Sequence, residues 1–191
     1  MGLQLCVLGS GSAGNSIYAA SPETAILVDA GLSGREMDRR LAAAGLSLDR
    51  VQAVCLTHEH EDHRAALRVL QQRRSVRIYA NAGTIEAIEH SEGAGVLTWQ
   101  VFTTGASFTI GDLTLDPFSV PHDAYDPVGF VVTSGGRRLG IVTDMGMPTG
   151  LVRERLKGCH AIILESNHDE EMLRNSSRPW SVKQRILGRQ G

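Results

Sequence analysis

The chain has 191 residues, is 42% hydrophobic and 21% charged, and carries a formal net charge of −2. Those values suit one globular domain with a real core. They exclude a globally basic nucleic-acid binder, and no apolar run nears the roughly 20 residues of a membrane span.

Chain order reads as strands and turns first. Leu3–Leu8 is a short apolar strand, and residues 9–14 form a glycine-serine loop. Asn15–Ala20 and Ala25–Asp29 are two strands joined at Ser21-Pro22-Glu23-Thr24. Ser33 should cap a helix, with Glu36 completing a capping box, Met37, Leu41 and Ala44 on its apolar face, and Gly45 as its stop. Val51–Thr57 reads as a buried strand. It is followed by a polar loop and one helix over His63–Arg73. Val76–Ala80 is a strand, and Asn81 caps a helix through Glu89. Strands follow near Leu97–Phe102, Ser107–Ile110 and Leu113–Val120, the last two joined by the two-residue turn Gly111-Asp112. Val128–Thr133 and Arg138–Thr143 pair about Gly135-Gly136, and Thr149 caps a helix ending at Gly158. Ala161–Glu165 reads as a buried strand, and the remainder as helix broken near Pro179. No repeat or linker interrupts this, so a single domain over 1–191 is expected. Hairpins mixed with helices predict layered sheets flanked by helices.

The densest chemistry is His58-Glu59-His60-Glu61-Asp62-His63, directly after the strand at 51–57. Four metal-ligand side chains fall within six residues, and a solvated loop has no need of three imidazoles at these spacings. Nitrogen and carboxylate donors together suit zinc or a similar borderline metal. Asp29, His122 and Asp144 each sit at the end of a predicted strand. Alone, each would be a turn aspartate or a locally satisfied histidine; together they predict convergence at one sheet edge. Gly9-Ser10-Gly11-Ser12-Ala13-Gly14 matches G-x-G-x-x-G, and Asp29 lies 20 residues beyond Gly9. A dinucleotide fingerprint must open a helix, and residues 15–24 are too short and contain Pro22. The loop is better read as a close backbone approach to the site floor.

Taken together, Asp29 in VDAG, Thr57 through His63 in THEHEDH, His122 in VPH and Asp144 in VTDMG resemble a metallo-β-lactamase-fold hydrolase. The GSGSAGNS opening and Leu164 through Asp169 are similar to the YycJ/WalJ-like branch, associated with nuclease or phosphodiesterase activity. The resemblance spans essentially the whole chain. It implies an α/β fold (α+β in some schemes), a four-layer αββα sandwich. It implies that His58, His60 and His122 hold one metal, Asp62 and His63 a second, and that Asp144 bridges them. Asp29 would fix the histidine loop by hydrogen bonds. His60 stands where oxygen-reducing relatives carry Glu, and Asp144 where several β-lactamases use Cys, so the pattern points to hydrolysis of something other than an antibiotic. Ala66 replaces a glycine common in the family. The family usually supplies one more histidine after a segment like Ser181–Leu187, and no histidine follows His168 here. That implies a C-terminally incomplete chain lacking the last strand and helix, with a weak second metal site, little activity and an exposed edge prone to self-association.

The implied chemistry uses two divalent ions, zinc first and manganese as the alternative, about 3.5–4 Å apart, to generate a nucleophile from water. Asp62 would orient it or take its proton. His168 would protonate the leaving group or bind phosphate, and Ser12, Asn15 and Asn167 would contact substrate. The expected partner is a phosphodiester in DNA or RNA. An acyl, thioester or lactone hydrolase on the same ions, or a non-catalytic metal-binding protein, are the alternatives. Arg174, Arg178, Lys183, Arg185 and Arg189 surround Trp180 without an acid. We read them first as a solvated helix face, and second as a track for a nucleic-acid backbone. Three scattered cysteines, Cys6, Cys55 and Cys159, and an N-terminus without a signal-peptide pattern predict the cytoplasm.

Overall fold

The computed structural model describes residues 2–166 and 169–188. A six-stranded sheet comprises β1 (Gln4–Gly9), β2 (Ser16–Ala20), β3 (Ala25–Val28), β4 (Val51–Cys55), β5 (Arg77–Ala80) and β6 (Trp99–Val101), in that spatial order. β1, β2 and β3 are antiparallel neighbours, whereas β3 through β6 run parallel. A parallel pair needs a crossover. Three crossovers are helical: α1 (Gly34–Ala43) lies between β3 and β4, α2 (Glu61–Arg64) and α3 (Leu67–Arg74) between β4 and β5, and α4 (Ala82–Glu92) between β5 and β6. The second sheet has five strands: β7 (Phe108–Ile110), β8 (Leu113–Ser119), β9 (Val128–Ser134), β10 (Arg137–Val142) and β11 (Ala161–Leu164). β7 to β10 form an antiparallel meander, and β11 lies parallel to β10 after α5 (Gly150–Leu156). The chain continues through α6 (Glu170–Asn175) and α7 (Trp180–Ile186), separated at Pro179.

The central strands bury both faces, and each face has its own partner. Ile17, Ile26, Val28, Ala53 and Cys55 meet Leu113, Leu115, Phe130, Val132 and Ile141 between the two sheets. The alternate residues Tyr18, Leu27, Val54 and Ile78 turn outward against Met37 and Leu41 of α1 and Leu67 and Leu70 of α3. On the far side of the second sheet, Phe118, Val131 and Val142 pack on Val152 of α5. Helix, sheet, sheet, helix is the layering implied by the resemblance.

Local signals explain the helix ends. Ser33 accepts from the Glu36 N–H, while the Glu36 carboxylate pairs with Arg39 and Arg40 rather than closing the expected box. Asn81 and Thr149 accept from Thr84 N–H and Val152 N–H as expected caps.

Two expectations need correction. The single helix over His63–Arg73 is two, α2 and α3. Ala66 N–H bonds to Ala30 O at 2.9 Å and Ala30 N–H to His63 O at 2.7 Å, so a tertiary contact takes backbone groups that a continuous helix would use. β11, expected to be buried, is largely exposed, with Ile162 at 45% and Leu164 at 51%. Among the described residues it pairs with β10 on one side only.

Candidate metal centre

Strand direction assembles the site. β3 and β4 run parallel, so Asp29 and residues 57–63 leave the same edge of the first sheet. β8 and β10 both run antiparallel to β9, so the segments holding His122 and Asp144 leave one edge of the second. Val128 N–H donates to Thr57 O at 2.9 Å and joins those edges. Gly146 N–H donates to Pro121 O at 2.8 Å and holds the His122 and Asp144 loops together.

The ring nitrogens then crowd together. His58 Nε2 lies 3.0 Å from His60 Nδ1, and His122 Nε2 lies 3.2 Å from that same atom. His63 Nε2 lies 3.1 Å from Asp144 Oδ2 and 3.6 Å from Asp62 Oδ2, and His122 Nε2 lies 4.0 Å from Asp144 Oδ1. Two ligand sets result, His58/His60/His122 and His58/His63/Asp144, each within 4.8 Å across.

A buried carboxylate organises both sets. Asp29 is fully buried at φ 62, a backbone region that Asp and Asn enter more readily than most residues. Its Oδ1 accepts from Thr57 N–H at 2.9 Å, and its Oδ2 contacts Thr57 Oγ1 at 2.9 Å and His63 Nδ1 at 2.8 Å. An ionised carboxylate only accepts, so Thr57 gives it its single hydroxyl proton. Thr57 Oγ1 must then accept from His58 Nδ1, 2.9 Å away. Nδ1 therefore carries a proton in both His58 and His63, and Nε2 is the nitrogen each ring turns toward the cluster. That is the arrangement a metal ligand needs.

The charges suit a cation. Burial, reinforced by His63, pushes the His58 pKa down to about 2, so that ring is neutral. Burial also opposes charge on His63, but Asp29 and Asp144 outweigh it and raise that pKa to about 10. Burial would raise Asp144, yet the nearby His63 and the other rings bring it down to about 2. Positive charge is thus favoured beside His63 Nε2. A proton there would face the Asn15 amide nitrogen, a donor, at 2.9 Å. A cation beside Nε2 answers the same carboxylates. Asp144 Oδ2, shielded from solvent, has no well-aligned hydrogen bond although His63 Nε2 is near. The first three nitrogens are also spaced for a metal: 2.0–2.1 Å bonds to tetrahedral zinc put ligand atoms about 3.3–3.4 Å apart.

This geometry agrees with the comparisons. A model described as "Beta-lactamase superfamily domain" matches residues 24–185. The chain belongs to the beta-lactamase superfamily. Exodeoxyribonuclease YycJ of Bacillus anthracis is 41% identical over 189 residues, covering 98% of this chain and 71% of that protein. Exodeoxyribonuclease WalJ of Streptococcus pneumoniae is 35% identical over 194 residues with the same coverages. Zinc-bound PqqB from Methylobacterium extorquens has the same fold, with TM-score 0.72 at 20% identity over 89% of this chain and 75% of that one. A divalent-metal site at these residues is consistent with that superfamily and with the ligand sets above.

All seven residues expected at or beside the metals, Asp29, His58, His60, Asp62, His63, His122 and Asp144, come together. Ser12 is exposed on its loop. Asn15 is buried against Asp62 and His63. Asn167, His168 and Arg189 lie outside the described residues, as does the Arg185 side chain. The sequence reading missed Thr57 as a relay to His58; its signal was a hydroxyl residue directly before a ligand. It also missed Glu165, whose carboxylate accepts from Met145 N–H beside the cluster. Burial is the main cause that pushes the Glu165 pKa up to about 7, and Asp144 adds to it.

Two expectations follow for the metal-stripped protein. Replacing Asp29 leaves Thr57 and His63 without their acceptor. Asp29→Ala should cost about 3–5 kcal/mol of stability, and Asp29→Asn less, because Asn keeps one acceptor and tolerates the backbone. Urea unfolding checks this, and a cost below about 1 kcal/mol in both variants would contradict the role given to Asp29. Glu165 holds its proton more tightly folded than unfolded. Its contribution is complete below about pH 4.5 and is lost as pH rises through about 7. Glu165→Gln should therefore flatten the fall in melting temperature between pH 5 and 8, and an unchanged slope would contradict it.

Proposed function

We propose that the chain is a metal-dependent phosphodiesterase that acts on DNA. The observation that carries this reading is the convergence of imidazole and carboxylate groups from three strand ends, anchored by Asp29 at a fourth, at one edge of the sandwich. Relatives named as exodeoxyribonucleases over 98% of this chain support the substrate class. A nuclease of RNA is the near variant. An acyl, thioester or lactone hydrolase would use the same side chains, and the names of those relatives weigh against it.

In this reading His58, His60 and His122 hold a first divalent ion, Asp62 and His63 a second, and Asp144 faces both. Zinc suits the imidazole-rich first set, and manganese is compatible with the carboxylates. Such ions supply Lewis acidity and a nucleophile at neutral pH. The protein's own groups do the remainder. Asp29 and Thr57 hold two rings in the ligating tautomer. Asp62, whose side chain is 32% exposed, is reached by solvent and is placed to accept a proton. Ser12 and Asn167 are proposed substrate contacts, and His168 a donor to the leaving oxygen. Arg174 and Arg178 with Trp180, which is 59% exposed, are suited to a nucleic-acid backbone and an unstacked base, whereas Lys183 is buried and donates to Arg174 O and Ser176 O, so it leaves this surface. Exposed Ile162 and Leu164 on the β11 edge support self-association. No helix among the described residues is long and apolar enough to cross a membrane. The free thiols of Cys6, Cys55 and Cys159 support a cytoplasmic setting.

Asp62→Ala should lower kcat on bis(p-nitrophenyl) phosphate by roughly 10²–10⁴-fold while leaving the melting temperature of the metal-free protein within a few degrees. Exhaustive chelation should abolish hydrolysis of both this substrate and single-stranded DNA, with recovery on adding zinc or manganese. Near-normal turnover by Asp62→Ala, or activity that survives chelation, would remove the proposed mechanism.

A further inference from the structure

The loop at 9–14 matches no nucleotide site, yet it ends on a residue tied to the metal centre. Asn15 is 5% exposed. Its Oδ1 accepts from Gly11 N–H at 2.9 Å. That bond fixes which way the amide faces, because turning it over would set two donors against each other. Its Nδ2 is thereby directed at Asp62 Oδ2, at 3.1 Å, and at His63 Nε2, at 2.9 Å. The backbone is fastened to the same place. Asn15 N–H donates to Asp62 O at 2.7 Å, and Asn15 O accepts from Gly31 N–H at 2.9 Å. The fit leaves no slack, since a Cβ on Gly31 would lie 1.6 Å from Asp62 O and 2.8 Å from Asn15 N.

We propose that Asn15 is a positioning residue for the second ion: its amide N–H sets the orientation of Asp62 from a segment 47 residues away. This rests on the assignment of those two side chains to a second ion. It differs from a direct substrate contact, because a side chain spent on Gly11, Asp62 and His63 and closed off from solvent has no face left for a ligand. Asp62 has most to gain. Its carboxylate is partly exposed, outside the Asp29 network, and Asn15 Nδ2 is the one side-chain donor bonded to it among the described residues. His63 is already held at Nδ1 by Asp29, and its Nε2 has one lone pair, which an ion would take, so the orienting bond from Asn15 is the one to Asp62.

The consequence is a selective one. Loss of the amide donors should weaken the more weakly held of two ions by roughly 10–100-fold, the range for groups that orient a metal ligand, while His58, His60 and His122 keep the other. kcat should fall with KM on bis(p-nitrophenyl) phosphate little changed. Asn15→Ala removes donor and acceptor. Asn15→Asp keeps the shape and the acceptor for Gly11 but loses the donors, which separates ligand positioning from anchoring of the loop. The experiment is zinc titration calorimetry on the metal-free wild type and both variants, with metal-free melting temperatures and kcat and KM measured alongside. The expected result is selective loss of the weaker ion and of kcat in both variants, at near wild-type melting temperature. An Asn15→Asp protein with unchanged or tighter binding of that ion overturns the proposal. So does a raised KM at wild-type kcat, or loss of both ions together with a lowered melting temperature in both variants. A wild type that binds no zinc overturns the underlying assignment itself, and is recognised by the absence of any binding before a variant is compared.

Discussion

The Asp29 carboxylate is the constraint on which the centre depends. It is a buried anion in a left-handed backbone position, and it gathers the amide and hydroxyl of Thr57 and the Nδ1 proton of His63. Three donors repay the cost of taking that charge out of water. They also do two further things. They lock the end of β3 to the end of β4, and they leave His58 and His63 with Nε2 turned toward the cluster. Had the hydroxyl of Thr57 been absent, His58 would have no acceptor at Nδ1 and its tautomer would be undetermined by the fold. Fold stability and the proposed metal chemistry therefore share one group.

The rest of the architecture serves to bring four chain segments to that group. Parallel pairing of β3 with β4 and the meander of β8, β9 and β10 deliver ligands to facing edges, and the Val128–Thr57 bond closes the gap between sheets. The inter-sheet core fixes their separation, because interiors packed like solids do not slide. Donors placed this way need little rearrangement when a cation arrives, which is how a site gains affinity from its scaffold.

Much of this was legible in the sequence. The ligands stand out because His-x-His-x-Asp-His is a local pattern and because Asp29, His122 and Asp144 each close a β-rich run. The caps at Ser33, Asn81 and Thr149 are local chemistry and appear where expected. What was illegible depends on distant partners. Nothing in Ala65-Ala66 signals a helix break; Ala30 causes it from across the sheet. The apolar run Ala161–Leu164 reads as core, but burial is decided by what covers a strand, and β11 lies at an edge. Asn15, at the start of a predicted strand, reads as a substrate contact until the fold brings it beside Asp62.

The most direct measurement is anomalous diffraction at the zinc edge from crystals grown with zinc. The account predicts one peak enclosed by His58 Nε2, His60 Nδ1 and His122 Nε2, and a second beside His63 Nε2, Asp62 and Asp144, with Asp29 still bonded to Thr57 and to His63 Nδ1. Zinc bound elsewhere, or imidazoles turned so that Nε2 of His58 or His63 points away from the ion, would contradict it.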